Sequence, residues 1–232
     1  MRIICCNWKM HGDIKLIKEY SQLPATAGVE LIVLPPAPYI NAAQALLPDH
    51  WSVGAQNCHA EQQGAFTGMI SAAMLAESGA KYILIGHSER RGFESEQFLT
   101  QSLQMTEASG LQPIICVGET WEERANTQKV LRAQLELLKY SKSERLIVAY
   151  EPRWAIGSGK TPEPAELESL FSWIRDTIQE INPRQADKIR LLYGGSLGAN
   201  NCQDFFSSNQ IDGGLIGGAS LKIEQLRAIL SC

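Results

Sequence analysis

Arg145-Leu146-Ile147-Val148-Ala149-Tyr150, then Glu151-Pro152-Arg153-Trp154-Ala155-Ile156-Gly157-Ser158-Gly159-Lys160-Thr161, then residues 164–181: this stretch decides the fold. The first run is mostly apolar, as expected for a strand covered on both faces in a parallel sheet. In the last, Leu167, Leu170, Phe171, Ile174 and Ile178 recur at helical spacing. Pro162 and Pro164 stand just ahead of that helix, where proline is tolerated. Strand, loop and helix in that order make one βα unit.

Working outward, the same unit repeats from end to end. Runs at 2–7, 29–34, 51–56, 82–85, 113–117, 145–150, 189–193 and 213–216 read as strands, which makes eight. Helical periodicity lies between them, as at residues 121–140, and Asp13 and Ser71 are candidate helix starts. Eight units over 232 residues average about 29 residues each. Eight is also the number of strands that closes a barrel with a filled interior. An open doubly wound sheet is the alternative, but the first strand leads into Asn7-Trp8-Lys9-Met10 rather than a glycine-rich turn. There is no linker, low-complexity tract or charged tail. The reading is α/β: one (β/α)8 barrel, a single catalytic domain spanning residues 1–232.

A net formal charge of −4 gives no reason to expect a nucleic-acid partner. No apolar run approaches the roughly 18 residues of a membrane span, and the one at Met1–Cys6 is too short for a signal peptide. A cytoplasmic location is expected. The cysteines, Cys5, Cys6, Cys58, Cys116, Cys202 and Cys232, show no CxxC pair or framework spacing. They are expected to be buried free thiols rather than disulfides or metal ligands.

In such barrels the active site lies in the loops at the carboxyl ends of the strands. There the sequence places Asn7 and Lys9, then Gly86-His87-Ser88-Glu89-Arg90-Arg91, Glu151 with the loop behind it, Gly194-Gly195-Ser196, and Gly217-Gly218-Ala219-Ser220. Glycines at three neighbouring strand ends suit a phosphate held by backbone N–H groups. Gly159-Lys160-Thr161 imitates the end of a nucleotide-binding P-loop, but Trp154 stands where that motif needs its first glycine. His87 and Glu151 are the candidate proton-transfer pair. His87 falls between a strand end and an expected helix start, whose positive end disfavours a charged ring. A neutral imidazole can donate to a substrate carbonyl, and a glutamate can remove the adjacent proton. Lys9 would stabilise the developing negative charge. His11, His50 and His59 read as structural or surface residues.

Taken together, these segments resemble the triosephosphate isomerase family over essentially the whole chain. The matching stretches are Asn7-Trp8-Lys9-Met10, Gly54-Ala55-Gln56-Asn57, Gly64-Ala65-Phe66-Thr67-Gly68, residues 86–91, Cys116-Val117-Gly118-Glu119-Thr120, residues 149–161, residues 193–196 and residues 215–221. The resemblance implies interconversion of dihydroxyacetone phosphate and glyceraldehyde 3-phosphate through an enediol or enediolate, without metal or cofactor. It implies Glu151 as the base, His87 as the neutral electrophile, Lys9 as the positive charge, Asn7 as a positioning group and Glu89 as an accessory carboxylate. Gly157, Ser196, Gly217 and Gly218 would hold the phosphate through backbone N–H groups. Residues 152–161 resemble a mobile lid, bounded by Pro152 and Trp154 on one side and Thr161 on the other, with Ile156 and Leu215 clamping over the carboxylate.

The resemblance also implies a homodimer through the loop from Asn57 to Gly68, with Thr67 near the partner's site. Departures from the family pattern are Arg153 in the lid hinge, Ser158 at its tip, His11 after the lysine motif, and Met69 where a glutamate often pairs with Arg90 across the interface. The first two helical units look trimmed, and the stretch after Arg91 looks short. Two other readings remain: an isomerase for a larger sugar phosphate, and a non-catalytic or moonlighting binding scaffold.

Overall fold

The computed structural model describes residues 1–143, 145–184 and 188–232. Among them, β1 (Arg2–Asn7), β2 (Val29–Leu34), β3 (Trp51–Ala55), β4 (Tyr82–Ile85), β5 (Gln112–Val117), β6 (Ile147–Tyr150), β7 (Arg190–Tyr193) and β8 (Gly213–Ile216) run parallel in sequence order. Strand β8 pairs with β1 and closes the sheet. The helices between and after them are α1 (Ile14–Tyr20), α2 (Ile40–Leu46), α3 (Ala72–Glu77), α4 (Glu96–Ala108), α5 (Thr127–Leu135), α6 (Pro164–Ile181), α7 (Cys202–Phe206) and α8 (Ile223–Leu230). The architecture is therefore the (β/α)8 barrel expected from the alternation of runs.

Successive residues of a strand face opposite sides, so each strand feeds two cores. Ile3, Cys5, Ile32, Leu34, Tyr82, Leu84, Ile114, Cys116, Ile147, Ala149, Leu192 and Leu215 fill the barrel. Their neighbours, such as Ile4, Val33, Ile115, Val148 and Leu191, pack outward against the helices. Strand β3 contributes Gly54 opposite Tyr82. A Cβ there would lie 2.5 Å from a Leu34 methyl and 2.7 Å from the Tyr82 carbonyl oxygen. The large ring of Tyr82 takes the volume that this glycine leaves, and its hydroxyl donates to Glu30 at the amino-terminal end of the barrel.

Local chemistry sets the helix starts. Asp13 caps α1 through Leu16 N–H, and Ser71 caps α3 through Met74 N–H, as the sequence suggested. Helices α1 and α2 are seven residues each. Two expectations need correction. The helix read over 121–140 is broken into a 3-10 turn at Arg124–Asn126, α5, and a second 3-10 stretch at Glu136–Tyr140. Thr120 and Glu123 exchange the reciprocal side-chain to backbone bonds of a capping box, which starts a helical turn, but that turn continues as 3-10 and regular α-helix begins only at Thr127.

The second correction concerns the cysteines. Cys5, Cys6, Cys58 and Cys116 are buried free thiols. Cys202 and Cys232, however, form a disulfide with Cα atoms 6.2 Å apart. Helix α8 returns the end of the chain to the start of α7, and a sequence separation of 30 hides that proximity.

Candidate active site

The inward register of each strand continues one step past its end. Asn7 closes β1 two residues after inward-facing Cys5, and Glu151 follows β6 two residues after inward-facing Ala149. Glu151 N–H donates to Val117 O at 2.7 Å, which extends the ladder by one residue. Two glycines make room for it. A Cβ on Gly118 would lie 1.8 Å from Glu151 O, and one on Gly194 would lie 2.8 Å from Glu151 Cγ.

The Glu151 side chain is buried. One carboxylate oxygen lies 3.0 Å from His87 Nε2, and the other accepts from Ser88 N–H at 3.0 Å. Burial alone would raise its pKa. The His87 ring, Ser88 N–H and the Cys116 thiol, which all favour the charged form, outweigh burial and hold the pKa below the ordinary carboxylate value. The balance holds Glu151 in its carboxylate form.

His87 is also buried. Its Nδ1 lies 3.3 Å from Glu89 N–H, which can only donate, so Nδ1 is the acceptor. The ring proton then sits on Nε2, which faces the Glu151 carboxylate. This is a neutral imidazole with an N–H aimed into the site. The helix start expected beside His87 is not there: a turn returns Arg90 N–H and Arg91 N–H to His87 O, and α4 begins only at Glu96. The Ser95 side chain caps that later start and fixes it away from the ring. A local backbone N–H, rather than a helix end, therefore sets the tautomer.

Asn7 Oδ1 accepts Lys9 N–H at 2.9 Å, which turns its Nδ2 toward His87 Nε2 at 3.2 Å; with the ring proton on Nε2 both groups are donors, so they are neighbours at the cavity rather than hydrogen-bond partners. Lys9 has φ of 51°, the only left-handed non-glycine residue among those described. Such a conformation costs about 1–3 kcal/mol and persists only where the surroundings impose it. Here Asn7 holds the Lys9 N–H, and Gln56 donates to Lys9 O at 2.8 Å. The ammonium reaches Glu89 at 2.8 Å.

Asn7, Lys9, His87 and Glu151 open onto one cavity of about 550 Å³. Gly157, Gly194, Gly195, Ser196, Gly217 and Gly218 line it with them, Gly194 close to Glu151 and Gly217 close to Lys9. Ile156 and Leu215 also border it. Asn201 shapes the turn after β7, accepting from Gly198 N–H at 2.9 Å and donating to Ser196 O at 2.9 Å.

The loop after β6 is fastened at its near end and exposed at its tip. Pro152 is buried, and Trp154 Nε1 and the Tyr150 hydroxyl both donate to the buried Glu119 carboxylate, at 2.8 and 3.0 Å. Arg153 keeps an exposed side chain and donates its N–H to Glu119 O at 2.9 Å. Ser196 Oγ–H donates to Ala155 O at 2.5 Å. From Gly157 to Thr161 every residue is exposed, and Gly157 and Gly159 take left-handed φ of 67° and 72°.

Some residues lie elsewhere. Thr67 is exposed on the 57–68 loop, outside the cavity. His11 is exposed, His50 bonds to Leu23 O, and His59 packs on Phe66, as structural or surface residues should. Arg90 pairs with Glu94 of its own chain at 2.7 Å. Sequence reasoning passed over Ser88, Gln56, Glu119 and Asn201 as supporting groups. Gln56 and Glu119 stood inside quoted motifs, and Gln56 in the inward register of β3 was a usable signal. Among the described residues, no group of three or more His, Cys, Asp or Glu side chains is placed to hold a metal ion, and no helix is long and apolar enough to cross a membrane.

The triosephosphate isomerase family model matches residues 2–232. The chain is 42% identical to the triosephosphate isomerase of Alcanivorax borkumensis over 98% of this chain and 96% of that protein. It is 41% identical to that of Legionella pneumophila (strain Paris), over 100% and 98% respectively. Identity to that of Xanthomonas campestris pv. campestris (strain 8004) is 39%, over 98% and 96%. A barrel with this cavity and a full-length match of this kind lead to one assignment: the chain belongs to the triosephosphate isomerase family.

Proposed function

We infer that the protein is an intramolecular aldose–ketose isomerase that interconverts dihydroxyacetone phosphate and D-glyceraldehyde 3-phosphate, a step of glycolysis and gluconeogenesis. The observation that carries this is the meeting of an ionised, buried Glu151 with a neutral His87 N–H, 3.0 Å apart, at the floor of a glycine-lined cavity. A glutamate base beside a neutral histidine is the arrangement already described for this enzyme.

In this reading the substrate phosphate lies against the backbone N–H groups of Gly157, Ser196, Gly217 and Gly218. Glu151 removes a proton from one substrate carbon and returns it to the next. His87 Nε2–H and Lys9 stabilise the oxygens of the enediolate between the two transfers, with Asn7 helping to position the substrate and Glu89 restraining the Lys9 ammonium. The 152–161 loop closes over the cavity with Ile156 and Leu215 around the carboxylate, which excludes water from a reactive intermediate.

The same reading makes the protein a cytoplasmic homodimer. Exposed Phe66, Met69, Ile70 and Met74 on and after the 57–68 loop support this, since one apolar patch of that kind marks an interface. Thr67 would then approach the partner's site.

A coupled assay with glyceraldehyde 3-phosphate tests the activity. Rapid turnover, inhibited competitively by 2-phosphoglycolate, is expected. A folded protein that neither turns over nor binds the inhibitor is a scaffold. Binding without turnover points to a different sugar phosphate.

A further inference from the structure

The lid separates two hollows. On one side is the catalytic cavity, bordered by Gly157 and Gly159. On the other is a recess lined by Trp154, Pro162, Arg124 and Glu166. Against two of the lining residues, Trp154 and Arg124, stands Trp121, on the loop between β5 and α5, with 55% of its surface exposed. A tryptophan so placed adds little to the core. Its ring meets the Trp154 ring edge to face, with centroids 6.0 Å apart. The Lys160 ammonium lies over the Trp121 ring at 5.2 Å. The Arg124 guanidinium covers Trp154 at 4.5 Å and Trp121 at 5.4 Å, and reaches Glu166 beyond the lid at 3.6 Å.

Trp121 therefore touches the lid at both ends: Trp154 at the near hinge and Lys160 beside the tip. We propose that Trp121 is a positioning residue, a latch that holds the lid in the position seen here, with Gly157 to Thr161 exposed at the mouth of the catalytic cavity. The proposal rests on the isomerase reading above. When the lid tip moves toward Ser196 and Gly217, it moves away from Trp121, and the Lys160 contact breaks. Contacts made only in the position seen here stabilise only that state. Losing them shifts the equilibrium toward closure, and a ligand that binds the closed form then binds more tightly. One aromatic pair and one exposed cation–π contact together set the size of the effect at about threefold to tenfold. The latch would thus oppose substrate capture and speed product release.

The test compares the full-length wild type with Trp121→Leu, Trp121→Gln and Trp121→Phe, each checked by thermal melting. The Leu and Gln variants are expected to bind 2-phosphoglycolate about threefold to tenfold more tightly, with KM lowered and kcat lowered or unchanged. The Phe variant keeps a ring and stays near the wild type. Weaker or unchanged inhibitor binding in both the Leu and Gln variants overturns the latch, as does equal tightening in the Phe variant. Absence of turnover in the wild type itself defeats the isomerase reading instead, so the two failures are distinguishable.

Discussion

Glu151 is pulled in both directions. Burial favours its neutral form, whereas His87, Ser88 N–H and the Cys116 thiol favour the charged one and prevail. The folded pKa lies below that of the unfolded chain, about 4.3 for a glutamate. Such a group stabilises the fold above the unfolded pKa, and the contribution is lost as pH falls through the lower folded value. Between pH 5 and pH 3, Glu151→Gln is therefore expected to lose less stability than the wild type, measured by urea unfolding at each pH. An equal or larger loss in the variant contradicts the balance described. At this scale the sequence was most legible where a residue carries the chemistry itself. Lys9, His87 and Glu151, the groups proposed to carry it, stand out by type and by position at strand ends. It was least legible where a residue acts through backbone geometry. Nothing in the letter Ser88 shows that its N–H will meet a carboxylate 63 positions later, or that Glu89 N–H, not a helix end, sets the His87 tautomer.

At the scale of elements, strand register was readable because alternation and mostly apolar runs fix which residues face inward. Boundaries shifted by two residues or fewer, as at β6, which starts at Ile147 rather than Arg145. The helix read over 121–140 is broken because periodicity does not separate α-helix from the 3-10 turns at Arg124–Asn126 and Glu136–Tyr140 that flank α5. The disulfide between Cys202 and Cys232 was invisible for another reason, since it depends on where α8 returns. Closing a loop of 30 residues in the unfolded chain is worth about 3–4 kcal/mol in the chain-entropy account. Reduction is expected to lower the melting temperature by roughly 5–15 °C. Thiol titration of the unreduced, denatured protein should find four free thiols, and six after reduction. Six before reduction contradicts the bond.

At the scale of the whole molecule, closure of the barrel brings residues from β1, the β4 turn and the ends of β6, β7 and β8 to one mouth. Eight repeated units made that closure readable from the chain alone. The surface of a partner was less so. Met69 stands where the family often places a charged partner for Arg90, and Arg90 here bonds to Glu94 within its own chain. The proposed dimer would cover the exposed Phe66, Met69, Ile70 and Met74 without that ion pair. Sedimentation at micromolar concentration is expected to show a dimer, and an active monomer at nanomolar concentration contradicts it.

The central claim is that Glu151 moves the proton. It is tested most directly by kcat for glyceraldehyde 3-phosphate in the wild type and in Glu151→Gln, with folding confirmed by melting. Loss of a positioned base predicts a fall of about 10²–10⁴-fold with 2-phosphoglycolate still bound. A folded variant that retains kcat within a few-fold of the wild type would place the base elsewhere and contradict the mechanism.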